Sequence, residues 1–252
     1  MSALADRLLA VRRDGAAPLG PLEPGEGPGD LVAAYAVADA LAGRLTNGLG
    51  PVAGWKIGAT SERGQRMLGI PEPFFGRVFA GTIRPAPASW ATGGRPVTLD
   101  AEILFELAAN PPPGASPDTL RACVRAIRLG VEVNQPGYAD PFAAGGLAII
   151  ADNGANAGLI VGPAIPQETD LPSVAATIRV DGVTAMEGTG AAVLGDPWTA
   201  LAWLADALPR HGLALRPGDL VASGNLCFAT AGAGQTVDAL FGTLGGVTLR
   251  LD

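Results

Sequence analysis

The chain has 252 residues, 48% of them hydrophobic, and a formal net charge of −7. That length suits one large domain, or one domain with a small appendage, and the apolar content suffices for a sizeable core. The acidic balance argues against nucleic acid and anionic membranes as partners, and no apolar run reaches the ~18 residues that a membrane span requires.

In chain order, residues 3–13 set Leu4, Leu8, Leu9 and Val11 among Asp6, Arg7, Arg12 and Arg13. This is the pattern of an amphipathic helix and is too polar for a signal peptide, so the expected location is cytoplasmic. Residues 15–30 are rich in Gly and Pro and read as a loop. Residues 32–45, "VAAYAVADALAGRL", read as a second helix, so that 1–50 forms a small helical N-terminal region and 51–252 the main domain. From Val52 onward short β-like runs appear at 52–58, 97–107, 129–134, 158–162, 175–181, 219–223, 236–241 and 245–251. Two helices interrupt them. One is "SPDTLRACVRAIR", with Ser116 as N-cap and Pro117 at the first helical position. The other is "DPWTALAWLADALPRHG", with Asp196 as N-cap and Gly212 at its end. Strands that do not alternate regularly with helices point to an α+β fold on a mixed, roll- or barrel-like sheet, not to a doubly wound parallel one.

Lys56 is the single lysine among 17 basic residues. It lies in a short strand between glycines, Gly54-Trp55-Lys56-Ile57-Gly58. Two readings stand: a snorkelling edge residue, or a buried ammonium suited to proton transfer, for which arginine is no substitute. In "VTLDAEILFEL" Asp100 and Glu102 are two apart and share one strand face. Alone, that pair fits a solvated face paired with arginines. Glu132, inside the apolar run "LGVEV", is a carboxylate that needs a partner. Three carboxylates from two strands suit Mg²⁺ or Mn²⁺, hard ions that take oxygen ligands.

Other features carry less. Cys123 and Cys227 have no metal-type spacing and read as buried small hydrophobes. His211, the only histidine, sits at a helix end, where an imidazolium would suit the dipole. The stretches "GTGAAVLGDP" and "TAGAGQT" lack a P-loop lysine and read as turns. Trp198 and Trp203 are five apart on one helix, and at least one of them belongs to the core.

Together the stretches "GWKIGATS" (54–61), "LGIPEPFFGRVF" (68–79), "LDAEILFEL" (99–107), "VEVN" (131–134), "IADNGANAGLIVG" (150–162), "GAAVLGDPWTALAWLADAL" (190–208) and "LRPGDLVASGNL" (215–226) give the chain a likeness. It resembles the 2-oxopent-4-enoate hydratase and 4-oxalocrotonate decarboxylase family, of the fumarylacetoacetate-hydrolase fold superfamily. The resemblance covers nearly the whole chain from about residue 30. It implies a catalytic domain over 51–252 and a metal-dependent lyase in aromatic-compound catabolism, adding water to a short 2-oxo acid such as 2-hydroxypenta-2,4-dienoate. A 4-oxalocrotonate-type decarboxylase, or a non-catalytic oxo-acid-binding or partner subunit, are the alternatives.

The resemblance also implies Mg²⁺ or Mn²⁺ on Asp100, Glu102 and Glu132, with Lys56 catalytic. Lys56, Asn153, Ser223 and Gly224 would surround the substrate. A homo-oligomer is expected, alone or complexed with a pathway enzyme. The chain departs from the family pattern at several points. Asp100 stands for a more usual Glu, Phe74 for the Asp of Pro-Asp-Phe-Gly, and Asn134-Gln135-Pro136 for an Asp-Ser-Arg type sequence. The family's Asp-Asn-x-Ser becomes Asp152-Asn153-Gly154-Ala155-Asn156, and its Gly-Ser near the end becomes Gly224-Asn225. No residue occupies the place of the histidine that related carbon–carbon hydrolases use.

Overall fold

The computed structural model describes residues 2–13 and 15–252. Two helices, α1 (Ser2–Arg13) and α2 (Leu31–Leu49), precede the sheets. Asp30 caps α2 by accepting from the Ala33 amide. α2 runs past the expected end at 45 because Leu49 continues the apolar stripe of Leu41 and Leu45. The two helices bury that stripe against Phe79, Tyr138, Ala148 and Ala151 in a small second core.

Twelve strands follow. They are β1 (Val52–Gly58), β2 (Phe74–Phe79), β3 (Ile83–Pro85), β4 (Ala88–Trp90), β5 (Val97–Leu107), β6 (Val124–Asn134), β7 (Asn156–Ile165), β8 (Ala175–Val180), β9 (Val183–Thr189), β10 (Leu220–Ala231), β11 (Thr236–Leu240) and β12 (Gly246–Leu251). Between them lie α3 (Glu62–Leu68), α4 (Pro117–Ala122), α5 (Pro141–Ala144), α6 (Gly146–Ala151) and α7 (Pro197–Arg210). One sheet has the order β2-β1-β10-β5-β6-β7-β3 and curls into a half barrel; the other runs β4-β12-β11-β8-β9. The architecture is the α+β, mixed-sheet roll expected from the sequence. No described helix is long and apolar enough to cross a membrane.

β5 sorts its side chains by alternation. Leu99, Ala101, Ile103, Phe105 and Leu107 enter the main core, where Ile178, Val237 and Leu249 of the second sheet and Leu201, Leu204 and Leu208 of α7 meet them. Each of the larger of these side chains contributes about 1.5–3 kcal/mol on burial. Phe105 packs on Trp198 with ring centroids 4.6 Å apart. The other face of β5 carries Asp100, Glu102 and Leu104, and Leu104 joins Val78, Leu159 and Ala222 in a separate apolar cluster. The acidic residues therefore lie on the concave side, away from the main core.

Three expectations need correction. The segment 116–128 is not one helix: α4 ends at Ala122, and from Val124 the chain is strand. Pairing with β5 decides this, since the ladder runs from Leu107↔Val124 to Thr98↔Asn134 and overrides the helix propensity of "LRACVRAIR". The run at 219–223 is the start of a much longer strand, β10, whose register shifts on both sides of Asn225. Strands β2, β3, β4 and β9 lie outside the runs read from the sequence. β2 is buried at every position, so it lacks alternation, and β9 is almost wholly exposed. The helix caps at Ser116 and Asp196 form as expected, accepting from the amides of Thr119 and Trp198.

Candidate metal centre

Three strands deliver four charged side chains to one point. β5 and β6 pair Asp100 directly with Glu132, and Glu102 follows two residues along the same face. Oxygens of all three carboxylates lie within 4.8 Å of one another. Lys56 arrives from β1 and sets Nζ 3.1 Å from Glu132 Oε2. All four residues are buried. Trp55 and Ile57 point the opposite way into the main core, where Trp55 Nε1 donates to Asp219 Oδ2.

Each carboxylate has one oxygen fixed by an N–H donor. Asp100 Oδ2 accepts from Asn134 Nδ2 at 3.1 Å and Asn225 Nδ2 at 3.3 Å. Glu102 Oε2 accepts from the Gly224 amide at 2.9 Å. Glu132 Oε1 accepts from Asn156 Nδ2 at 2.7 Å. The other oxygens, Asp100 Oδ1, Glu102 Oε1 and Glu132 Oε2, are buried and accept no hydrogen bond from an amide; the last is ion-paired with the Lys56 ammonium at 3.1 Å. Leaving buried carboxylate oxygens unpaired is costly. Three such oxygens converging, all hard donors, fit a divalent cation that would bind one oxygen from each residue.

The electrostatics agree. Burial raises the Asp100 carboxyl to about 7; Glu132 adds to the rise, and Lys56, Asn225 and Asn134 oppose it. Burial, then Glu132 and Asp100, raise Glu102 well above the usual carboxylate range. For Lys56, burial disfavours the ammonium, but Glu132, Glu102 and Asp100 outweigh it and the pKa rises. Carboxylates this close repel unless a cation lies between them.

The wall around Lys56 is tightly shaped. Its Nζ stands 5.3 Å from the Phe74 ring centroid, a cation–π distance. Gly224 has φ +110°, and a Cβ there would lie 2.3 Å from Thr60 Oγ1. Only glycine fits at that bulge, and the bulge is what aims its N–H at Glu102. Asn153, Gly154 and Ala155 are three successive residues with positive φ. The Asn153 amide is committed to the Arg77 backbone, accepting from its N–H and donating to its carbonyl at 2.8 Å each. Ser223 is fully buried, with Oγ 3.4 Å from the Gly224 carbonyl. Of the residues expected around substrate, Lys56 and Gly224 thus touch the acidic group, whereas the side chains of Asn153 and Ser223 make local contacts.

The sequence reading gave Asn134, Asn156 and Asn225 no role, although each holds a carboxylate. Period two offered one signal: Asn134 shares the face of Glu132. The other two are placed by the β10 bulge and by the turn before β7. His211 packs on the rings of Tyr35 and Phe75, centroids 4.3 and 5.3 Å away. His211 is the C-cap of α7, but burial and then Arg210 lower its pKa, which disfavours the imidazolium that a helix end would suit. Cys123 and Cys227 are free and buried.

Comparison with known proteins places this geometry. No family model matches the chain. A curated relative, the 2-keto-4-pentenoate hydratase of Burkholderia vietnamiensis, is 33% identical over 235 residues, covering 90% of this chain and 87% of its own. The chain belongs to the 2-keto-4-pentenoate hydratase family. The TodF product hydratase of Pseudomonas putida is 32% identical over 97% of this chain and 92% of its own. A 4-oxalocrotonate decarboxylase of a Pseudomonas species is 28% identical over 88% of each. Among solved structures, the 4-oxalocrotonate decarboxylase of Pseudomonas putida G7, complexed with calcium and acetate, superposes with a TM-score of 0.88. It is 24% identical and covers 100% of this chain and 96% of its own. A fumarylpyruvate hydrolase of Pseudomonas aeruginosa, in complex with Mn²⁺ and pyruvate, superposes at 0.60 with 15% identity, over 78% of this chain and 88% of its own. These likenesses establish the fumarylacetoacetate-hydrolase fold for this member of the hydratase family.

Proposed function

We propose that the protein is a hydro-lyase that adds water to a short unsaturated 2-oxo acid, of the type of 2-hydroxypenta-2,4-dienoate, in aromatic-compound catabolism. The observation that carries this reading is the convergence of three buried carboxylate oxygens that accept no hydrogen bond, one of them ion-paired with a buried lysine, in a chain whose curated relatives are hydratases. Asp100, Glu102 and Glu132 would hold Mg²⁺ or Mn²⁺. Such an ion, when bound, supplies a positive centre that orients a 2-oxo carboxylate and stabilises negative charge on its 2-oxygen.

The rest falls to the chain. Lys56 holds a proton at Nζ and stands where it can pass that proton to the dienol chain or grip the substrate carboxylate. Protonation of the dienol carbon chain gives a conjugated ketone, and water then adds across its remaining double bond. Phe74 covers Lys56 on one side and keeps water from it, which preserves its field in the buried site. Asn134, Asn156, Asn225 and the Gly224 amide hold the carboxylates in register. Asn153 and Ser223 act by shaping the wall that supports Lys56 and Gly224. Exposed Val183 and Met186 on the edge strand β9, with Phe228 on β10, support a homo-oligomer.

The 28% identical decarboxylase keeps a second reading in play, loss of carbon dioxide from a 4-oxalocrotonate-type acid. One experiment separates them: ultraviolet absorbance of freshly prepared 2-hydroxypenta-2,4-dienoate, with and without Mg²⁺, beside carbon dioxide release from 4-oxalocrotonate. Metal-dependent loss of dienol absorbance with formation of the hydroxy-oxo acid is expected. Carbon dioxide release alone would establish the decarboxylase, and inertness in both arms a binding role.

A further inference from the structure

Asn156, whose amide holds Glu132, also lines a cavity of about 420 Å³ that lies outside the acidic centre. Arg12, Arg13, Arg84 and Arg95 line the same cavity, and among the described residues no Asp or Glu does. In a chain of net charge −7 this is a local reversal of sign. The remaining wall includes Leu45, Phe79 and Trp90. A cavity of this volume that combines an apolar wall with several cationic and polar groups can hold a small molecule with one anionic end.

The arginines are unequally occupied. Arg12 is partly buried and the most engaged, through Nε to Asp152 Oδ1, Nη2 to the Asp152 carbonyl and Nη1 to the Asn156 carbonyl, each at 2.7 Å. Arg95 gives Nη1 to the Pro136 carbonyl at 3.0 Å. Arg84 gives Nη1 to the Ser89 carbonyl and stacks on Trp90, 4.8 Å from its ring. A guanidinium has five N–H donors, so Arg84 and Arg95 keep donors for a ligand. Burial, and then the like charge of Arg12, disfavour the charged form of Arg95, with Asp152 opposing. An anion between Arg95 and Arg84 would relieve that repulsion and accept the remaining donors.

We infer that this cavity binds a small organic carboxylate, its anionic end on Arg84 and Arg95 and its apolar body against Trp90 and Phe79. The site is separate from the acidic centre, so the inference stands whichever reaction the latter performs.

Benzoate and inorganic phosphate are the probes, titrated calorimetrically into the full chain kept metal-free with a chelator. Benzoate is expected to bind with a Kd of about 1 mM or tighter, and more tightly than phosphate, which has no apolar body. Arg84→Ala combined with Arg95→Ala should weaken benzoate at least about tenfold, the effect of losing a charge-assisted contact. Arg84 is exposed, so Arg84→Glu tests the charge with little risk to folding and should weaken benzoate similarly. Lys56→Ala should leave benzoate binding unchanged. Absence of benzoate binding at 10 mM, about tenfold above the expected Kd, overturns the inference. So does undiminished binding in the arginine variants, binding of phosphate alone, or loss of binding in Lys56→Ala, which would place the anion in the acidic centre.

Discussion

Lys56 Nζ and Glu132 Oε2 are 3.1 Å apart although their strands, β1 and β6, are separated by β10 and β5. The lysine reaches across two strands because the sheet curls and because Ala222, its register partner on β10, is small. A guanidinium in this place would be bulkier and would not release its proton. Lys56→Ala is therefore expected to lower turnover by ~10²-fold or more, the scale for a positioned acid or base. Lys56→Arg should fail comparably. Near-normal steady-state rates in Lys56→Arg would refute proton transfer by this residue.

Without metal, the acidic centre makes stability depend on pH in a defined direction. Asp100 is raised to about 7 and Glu102 well above its usual value, both mainly by burial. Folded-state values above unfolded ones mean that the stabilisation is present below the unfolded carboxylate range and lost as pH rises through the folded values. Thermal denaturation in chelator should thus show a lower midpoint at pH 8.5 than at pH 5.5, and Mg²⁺ or Mn²⁺ should restore it at the higher pH. A metal-free midpoint that rises with pH across this range would contradict the assignment.

The asparagine amides should set metal affinity. Asn156→Ala removes the amide that donates to Glu132, and Asn225→Ala one of the two amides that donate to Asp100. Losing an outer partner of a metal ligand typically costs 10–100-fold in affinity. Calorimetric titration with Mn²⁺ should place Asn156→Ala toward the upper part of that range and Asn225→Ala toward the lower. Wild-type affinity in both would mean that the amides do not orient the carboxylates.

Gly76, the register partner of Lys56 on β2, has no room for a side chain. A Cβ there would lie 2.4 Å from the Asn153 carbonyl oxygen, a backbone atom that cannot step aside, and 3.2 Å from Lys56 Cγ. Gly76→Ala should cost about 2 kcal/mol or more through overpacking, lowering the melting temperature by roughly 4–8 °C for a domain of this size. An unchanged melting curve would show that β2 and the turn at 153–155 separate freely.

Local chemistry was enough for several features of this protein. Period-two spacing placed Asp100 and Glu102 on one face, an apolar run marked Glu132 as a carboxylate needing a partner, and a lone lysine among arginines stood out. Ser116 and Asp196 announced their helices because an N-cap acts over three residues. Each of these signals is short in range. What only the tertiary structure decided is long in range. The segment from Val124 is strand because β5 lies beside it, and the β10 bulge aims the Gly224 N–H at Glu102. Asn134, Asn156 and Asn225 become carboxylate donors only once the order β1-β10-β5-β6-β7 is in place. Lys56 and Glu132 are 76 positions apart, and nothing local pairs them. Their meeting depends on which strands hydrogen-bond to which, and that choice is made by burying the opposite faces of those strands in a shared core.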